Sequence, residues 1–211
     1  MIAVIDYGVG NLFSLTASLK YLGADVKVTG EKEEIEAADR IILPGVGAFA
    51  DAKEKLDQTG LVETILEQTA DGKPLLGICL GMQLLFDESH EYGVHKGLGL
   101  IKGKIASIDE DLKKVGIAGL KVPHIGWNSL QFEKDEPLFR YNKPGDYVYY
   151  VHSFYGTDCE ESIIATSEYG VTITGAVRSG KVYGTQFHPE KSGEVGLAML
   201  RNFAKLTEVG K

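Results

Sequence analysis

The chain has 211 residues, of which 44% are apolar and 25% charged, a balance that is typical of globular proteins and excludes the disordered and fibrous classes. The formal net charge is −8 and there is no dense Lys/Arg block, which argues against a nucleic-acid partner. No stretch approaches the length of a membrane-spanning apolar run, so we expect a cytoplasmic protein without a membrane partner.

The first half of the chain alternates apolar, β-branched runs with helical stripes. Strands are predicted at residues 2–6, 24–28, 40–43 and 74–78. Helices are predicted from the Leu12, Leu15, Leu19 and Leu22 stripe that ends at Gly23, and at residues 49–56, 61–67 and 80–86. This alternation indicates parallel strands that are joined by helical crossovers and covered on both faces.

In the second half, strand-like runs follow one another without long helices between them. They lie at residues 104–108, 129–132, 147–151, 163–167, 172–177 and 182–187, and a last helix is predicted at residues 193–206. These strands should pair largely antiparallel and extend the sheet of the first half. The sequence therefore predicts an α/β fold: a single domain over residues 1–211 with a central mixed, largely parallel sheet that is flanked by helices and has an antiparallel extension.

Sequence patterns that would point to a cofactor fail on inspection. A dinucleotide fingerprint starts at Asp6, but Phe13 stands where its third glycine is required. A phosphate-loop pattern starts at Gly175, but it is followed by Val182 instead of Ser or Thr. The five His residues are scattered without zinc-ligand spacing. We therefore predict neither a cofactor nor a metal.

The segment Gly77-Ile78-Cys79-Leu80-Gly81 has the pattern of a nucleophile elbow with cysteine in the central place. A strand that turns sharply into a helix strains the central residue, and side chains two positions away on either side would collide. Cys79 would then stand at a helix N-terminus, at the carboxyl end of the sheet, where the helix dipole favours a thiolate. We interpret it as a candidate nucleophile, with a buried structural cysteine as the alternative.

The segment Phe187-His188-Pro189-Glu190 offers a candidate base and a group to orient it. A residue before proline is extended, and residues two apart on an extended segment point to the same side. His188 and Glu190 can therefore lie side by side, which leaves the second ring nitrogen for Cys79. Alone, the pair could equally be a surface contact at a strand end; the elbow favours the catalytic interpretation.

A third candidate segment, Pro44-Gly45-Val46-Gly47, follows a predicted buried strand. Its glycines permit an unusual backbone turn that can aim N–H groups outward. Together with the N–H of Leu80, these donors could hold a developing oxyanion. A simple Pro-Gly turn would look the same in sequence.

These segments, in this order, resemble the class I glutamine amidotransferase family, and most closely its members in histidine biosynthesis. The stretches that carry the resemblance are PGVGAF at 44–49, LGICLGMQLLF at 76–86, VPHIGWN at 122–128, YYVHSF at 149–154 and QFHPEKS at 186–192. The resemblance implies a flavodoxin-like α/β fold and hydrolysis of glutamine to glutamate and ammonia through a Cys thioester. It also implies that a separate (β/α)₈ cyclase subunit receives the ammonia in a heterodimer.

The resemblance assigns further residues to roles by position. It implies a catalytic triad of Cys79, His188 and Glu190. The implied oxyanion donors are Val46, Gly47 and Leu80, and the implied glutamine-binding residues are Gln83, Glu91, Ser153 and Phe154. The positions implied at the interface with the cyclase are Asn11, Trp127, Tyr149 and Lys181.

Two other interpretations remain open from sequence. The chain could be a glutaminase that supplies ammonia to a different biosynthetic synthase. It could also be a scaffold that binds a partner without hydrolysing glutamine, although an intact Cys79, His188 and Glu190 set argues against this.

Overall fold

The computed structural model describes residues 1–206, so the last five residues of the predicted 1–211 domain, and of the chain, lie outside the described part. The strands in chain order are β1 (Ile2–Ile5), β2 (Val26–Thr29), β3 (Arg40–Leu43), β4 (Leu75–Ile78), β5 (Phe86–Ser89), β6 (His95–Lys96), β7 (Ile101–Ser107), β8 (His124–Ser129), β9 (Gln131–Phe132), β10 (Tyr147–His152), β11 (Phe154–Thr157), β12 (Ile163–Glu168), β13 (Thr172–Ser179) and β14 (Val182–Thr185). The helices are α1 (Leu12–Tyr21), α2 (Lys32–Ala37), α3 (Phe49–Gln58), α4 (Leu61–Ala70), α5 (Leu80–Leu84), α6 (Ile108–Lys114) and α7 (Gly193–Ala204).

The predicted central mixed sheet is confirmed. Within residues 1–206 its strand order is β2-β1-β3-β4-β14-β13-β12-β9. The strands from β2 to β14 pair parallel, and the remainder pair antiparallel. The parallel part has the 2-1-3-4-5 order of a flavodoxin-like sheet. Because all its strands run the same way, the segments that follow β1, β3, β4 and β14 meet at one edge, the carboxyl edge.

The core lies on both faces of this sheet because side chains alternate along each buried strand. In β1, Ala3 and Ile5 point to one face and Ile2 and Val4 to the other. Helices α3 and α4 cover the first face with residues such as Phe49, and helices α1 and α7 cover the second. The described residues contain no helix that is both long and apolar enough to cross a bilayer.

The second half departs from the prediction of one continuous extended sheet. The strands β9, β12, β13 and β14 join the central sheet, but β7 and β11 form a separate small sheet with β5 and β6. Among the strands of residues 1–206, β8 pairs only with β10. The two-stranded β8–β10 ribbon packs on the central sheet through buried side chains of β10, Val148 and Tyr150. It is therefore held there by packing instead of by a backbone ladder.

Three predicted elements end earlier than expected, and at the first two other hydrogen-bonding groups take over. The helix predicted at residues 80–86 stops at Leu84, whose carbonyl accepts from the N–H of Leu98 at 2.8 Å, and Phe86 starts β5. The strand predicted at residues 104–108 ends at Ser107, whose hydroxyl caps α6 by accepting from the N–H of Glu110. The last helix ends at Ala204 and not at residue 206.

Candidate active site

The elbow predicted around Cys79 is present at the carboxyl edge of β4. Cys79 has φ 54° and ψ −112°, and α5 begins at the next residue. A positive φ is strained for a residue with a side chain. A Cβ on Gly77 would lie 2.7 Å from the carbonyl oxygen of Gly81, and one on Gly81 would overlap the carbonyl oxygen of Leu43. Glycine at both positions is therefore what allows the turn.

His188 and Glu190 lie side by side, as the sequence predicts. His188 Nδ1 is 2.8 Å from Glu190 Oε1, and the exposed fractions of the two side chains are only 2% and 3%. Burial by itself lowers the pKa of His188, but hydrogen bonding and charge interactions with Cys79 and Glu190 outweigh it and raise the pKa to about 9. The imidazolium form is thus stabilised at neutral pH.

The second nitrogen of His188 faces the thiol side of the site. Among residues 1–206, the buried Nε2 atom of His188 makes no hydrogen bond of ordinary geometry, yet Cys79 is close enough to raise the pKa of the ring. Both residues line one cavity of about 340 Å³. The arrangement brings together a nucleophile, a base and an orienting carboxylate, the geometry of covalent acyl chemistry.

Strand β10 holds the backbone of His188 in place. The N–H of His188 donates to the carbonyl of Tyr149 at 2.9 Å. The Ser192 hydroxyl donates to the carbonyl of His188 at 2.7 Å and accepts from the N–H of Tyr149 at 3.0 Å. A movement of β10 would therefore displace the backbone of His188, the candidate base.

The candidate oxyanion segment lies where the sequence predicts it. Val46 and Gly47 line the same cavity, and Gly47 has φ 97°. Tyr7 anchors the segment because its hydroxyl donates to the carbonyl of Pro44 at 2.7 Å. Leu80 is the first residue of α5, and the first N–H groups of a helix have no partner within the helix. Its N–H is therefore available to a bound anion.

The predicted substrate residues Gln83, Glu91, Ser153 and Phe154 also line this cavity. Gln83 Nε2 donates to the carbonyl of Phe154 at 3.0 Å. Glu91 Oε2 accepts from the N–H of Phe49 at 2.7 Å, at the start of α3. Burial raises the pKa of the Glu91 carboxyl, although the bond from Phe49 opposes the shift. The structure thus gathers the four residues around one concave space.

The site contains residues that the sequence analysis did not single out. Gln186 is fully buried, and its Nε2 donates to Cys79 Sγ at 3.8 Å while its Oε1 accepts from Gln83 at 3.1 Å. Burial raises the pKa of the Tyr7 hydroxyl, and Cys79 lies close enough for the negative charge of its thiolate form to raise it further. His152 and Lys191 line the cavity. Gln186 stands directly before the Phe187–Glu190 motif, which was its one sequence signal.

The residues predicted at a partner interface do not all come together. Asn11 caps α1 by accepting from the N–H of Ser14, and Trp127 pairs with Tyr149 across the β8–β10 ribbon with ring centroids 6.1 Å apart. Helix α1 and strand β10 both pack against the 3₁₀ turn Pro189–Lys191. Lys181 lies apart from this group. It precedes β14, whose far end leads to His188, so it stands at the opposite, amino edge of the sheet.

Within residues 1–206 no group of three His, Cys, Asp or Glu side chains is arranged to hold a metal ion. Cys159, the second thiol, is buried outside the cavity. Burial raises its pKa to about 11 although Thr174 bonds to it.

Comparison with known proteins adds independent information. Residues 3–206 match the sequence model of the family described as glutamine amidotransferase class-I. A protein of Bacillus cereus (strain G9842) named imidazole glycerol phosphate synthase subunit HisH is 48% identical over 211 residues, covering 100% of this chain and 97% of the relative. The protein of the same name from Geobacillus kaustophilus (strain HTA426) is 50% identical over 204 residues, covering 96% and 95%.

Solved structures show the same fold at much lower identity. One described as a glutamine amidotransferase superposes with a TM-score of 0.71 at 20% identity, covering 93% of this chain and 95% of the other. The structure of PurLQS from Thermotoga maritima superposes with a TM-score of 0.72 at 20% identity, covering 94% of both chains.

Proposed function

The chain belongs to the class-I glutamine amidotransferase family, and from that membership we propose that Cys79, His188 and Glu190 are its catalytic triad. The chain is a glutaminase, and it acts as the glutaminase subunit of imidazole glycerol phosphate synthase in histidine biosynthesis. The single observation that supports the triad best is the buried His188–Glu190 pair, whose second ring nitrogen is left for the neighbouring Cys79.

The proposed reaction uses each member of the triad once per half-reaction. The Cys79 thiolate attacks the side-chain amide carbon of glutamine, and His188 gives a proton to the departing ammonia, which leaves a thioester. His188 then accepts a proton from water as the water oxygen attacks the thioester carbonyl. The carbon–sulfur bond breaks, glutamate departs after losing its carboxyl proton to solvent, and the Cys79 thiolate and the His188 imidazolium are restored. Glu190 keeps the proton of His188 on Nδ1 and stabilises the imidazolium.

Backbone groups stabilise the charge that develops in both steps. The carbonyl oxygen of the amide becomes an oxyanion when sulfur attacks. Leu80 follows Cys79 at the start of α5, and Val46 and Gly47 line the same cavity as both residues. We assign the oxyanion to these donors.

The charges of the cavity suit the amino-acid end of glutamine. Glu91 provides a buried carboxylate in the cavity wall for the α-ammonium group. Gln83, Ser153 and Phe154 line the same cavity as Glu91, Cys79 and His188. We propose that these four residues hold the substrate so that its amide carbon meets Cys79.

We further propose a cyclase partner, a (β/α)₈ subunit that makes imidazole glycerol phosphate and an aminoimidazole carboxamide ribotide. Ammonia released into water would be protonated and lost as a nucleophile, so a channel into a partner is the physical expectation. The outer face of the β8–β10 ribbon supplies the contact, because side chains alternate along it and exposed apolar residues gather there. These residues are Ile125, Trp127 and Tyr147, and the partly buried Tyr149 lies beside Trp127 on the same face.

Asn11 belongs to the same proposed surface, since α1 and β10 share the 3₁₀ turn that carries Glu190. Lys181 is left out of it because it stands at the opposite edge of the sheet. The cytoplasm as the place of this reaction stays a prediction.

The experiment that tests the function measures glutamine hydrolysis by the purified chain alone, with the cyclase, and with the cyclase and its nucleotide ligand. We expect slow hydrolysis by the chain alone and a rise with the partner and its ligand. Full activity of the isolated chain, unchanged by the cyclase, would refute the coupled function. Complementation of a histidine auxotroph separates this function from service to a different synthase.

Alkylation separates an enzyme from a scaffold. Cys159 stays protonated at neutral pH because burial raises its pKa, so an alkylating reagent should select Cys79. Glutamine-dependent synthesis should stop while synthesis from free ammonia continues. If alkylated Cys79 leaves glutamine-dependent synthesis unchanged, the chain is a scaffold.

A further inference from the structure

His124 and His152 form a buried pair behind the active-site cavity and have no part in the triad. His124 Nδ1 is 3.0 Å from His152 Nε2. His152 lines the cavity. The ring of His124 stacks between those of Tyr150 and Tyr169, with centroids 4.7 and 4.0 Å away. Both histidines are therefore tightly held, and a hydrogen bond joins them.

The two rings are neutral at neutral pH. Burial lowers the pKa of His124 to about 4. Burial also lowers the pKa of His152 to about 3, with further lowering by the charges of His124 and His188 and opposition from the bond to Phe154. A neutral imidazole has one N–H donor and one acceptor nitrogen. Each ring can therefore donate only one hydrogen bond.

The carbonyl at one end of the pair fixes both tautomers. His152 Nδ1 is 2.8 Å from the carbonyl oxygen of Phe154, and a carbonyl can only accept, so Nδ1 of His152 carries the hydrogen. Its Nε2 must then accept, and His124 Nδ1 is the donor. The remaining nitrogen of His124, Nε2, has to accept in turn. Both rings are thus Nδ1–H tautomers.

Asn128 supplies the donor that this arrangement requires. Its Nδ2 is 3.3 Å from His124 Nε2. The same amide nitrogen donates to the carbonyl of Glu168 at 2.9 Å, and Asn128 Oδ1 accepts from the N–H of Ser129 at 2.8 Å. These two backbone contacts fix the orientation of the amide. The hydrogen bonds therefore run in one direction, from Asn128 to Phe154.

The chain of bonds continues from Phe154 to the thiol. The carbonyl of Phe154 also accepts from Gln83 Nε2 at 3.0 Å. The same nitrogen of Gln83 donates to Gln186 Oε1 at 3.1 Å, and Gln186 Nε2 donates to Cys79 Sγ at 3.8 Å. The histidine pair therefore helps to fix the position of the Phe154 carbonyl oxygen. Through Gln83 and Gln186, that oxygen in turn affects the position of the Cys79 thiol.

We propose that Asn128, His124 and His152 are positioning residues for glutamine hydrolysis, acting through the Phe154 carbonyl on Gln83 and the thiol. The inference rests on the proposed triad, because the series of hydrogen bonds ends at Cys79. Strand β8 also connects the proposed cyclase surface with the active-site cavity. It turns Ile125 and Trp127 outward, to that surface, and His124 inward.

The first test reads the tautomers and needs no activity. In protein labelled with ¹⁵N-histidine, long-range ¹H–¹⁵N spectra distinguish protonated from unprotonated ring nitrogens. We expect His124 and His152 to be neutral at pH 7 with the hydrogen on Nδ1. A hydrogen on Nε2 of either ring, or a charged ring, would overturn the proposal.

The second test removes the hydrogen bonds of His124 while keeping the packing around its ring. His124→Phe keeps an aromatic ring between Tyr150 and Tyr169 but has no nitrogen, whereas His124→Asn keeps a donor near the position of Nδ1. In the complex with the cyclase, His124→Phe should raise KM for glutamine by about fivefold to tenfold, the effect of one or two lost hydrogen bonds. His124→Asn should stay near wild type, and synthesis from free ammonia should be unchanged in both.

Asn128→Ala removes the amide that starts this series of hydrogen bonds, at a half-buried position. It serves as the test variant if His124→Phe does not fold. An unchanged KM in these variants, or an equal rise in the Phe and Asn variants, would overturn the positioning role. Failure of the proposed function looks different. The wild-type complex would then not hydrolyse glutamine at all. The ring-nitrogen spectra would still show whether the hydrogen bonds from Asn128 to Phe154 are formed.

Discussion

Gln186 donates a hydrogen bond from its side-chain amide to the sulfur of Cys79, although 107 positions separate the two residues in sequence. The same amide accepts from Gln83. Gln186 is fully buried, so no water replaces these bonds. It therefore fixes the thiol relative to a residue that we place in contact with the substrate.

Replacing Gln186 should weaken catalysis without unfolding the protein. Gln186→Met keeps the length and volume of the side chain but removes its amide. We expect kcat/KM for glutamine to fall by about tenfold, the effect of two lost buried hydrogen bonds. Steady-state glutaminase assays of the complex measure this. Gln58→Met, on an exposed position of α3, is the matched control, and an equal loss in both variants would contradict the role.

Glu190→Gln should lower turnover without abolishing it. The amide can still accept from Nδ1 of His188 but no longer stabilises the imidazolium or secures the tautomer. By analogy with such orienting groups, kcat should fall by about two to four orders of magnitude. Measured kcat values for Glu190→Gln and Cys79→Ala decide the point, since loss to background in both would contradict a purely orienting role.

The His188–Glu190 pair should make stability depend on pH. The pKa of His188 is raised from 6.5 to about 9 in the folded protein. Because the folded state holds this proton more tightly, the stabilisation is fully present below pH 6.5 and is lost as the pH rises through about 9. Urea unfolding should show that Glu190→Gln lowers the free energy of unfolding more at pH 6.5 than near pH 9. A difference that grows with pH would contradict the assignment.

Trp127 should be an anchor of the cyclase interface. It is 55% exposed at the centre of the ribbon's outer face, and large aromatic residues carry much of the energy of protein interfaces. Trp127→Ala should weaken binding of the cyclase by about tenfold to a hundredfold, measured by calorimetry. Tyr141 is 66% exposed and lies outside the ribbon. Tyr141→Ala should bind normally, and identical affinities for both variants would place the interface elsewhere.

The parallel half of the fold could be predicted because buried strands are apolar along their whole length. All four residues of β1 and all four of β4 are buried, and none of them is polar. Strand β5 was missed because its sequence, FDES, is mostly polar. Helix α6 was missed although its sequence carries local helix signals, the Ser107 cap and the pairing of Lys113 with Asp109.

The site could be predicted where its residues are close in sequence. The elbow follows from Gly77 and Gly81, and the His188–Glu190 contact follows from their spacing. Gln186 could not be assigned a role, because its partners lie more than 100 positions away. The place of Lys181 at the opposite edge of the sheet from His188 follows only from the structure, because strand β14 carries the chain from one sheet edge to the other between these two residues.

The most direct measurement compares glutamine-dependent and ammonia-dependent synthesis by the complex of Cys79→Ala with the cyclase. We predict that glutamine no longer supports synthesis, while free ammonia supports it at the wild-type rate and the two subunits still bind. Glutamine-dependent synthesis that survives the loss of this sulfur would show that Cys79 is not the nucleophile.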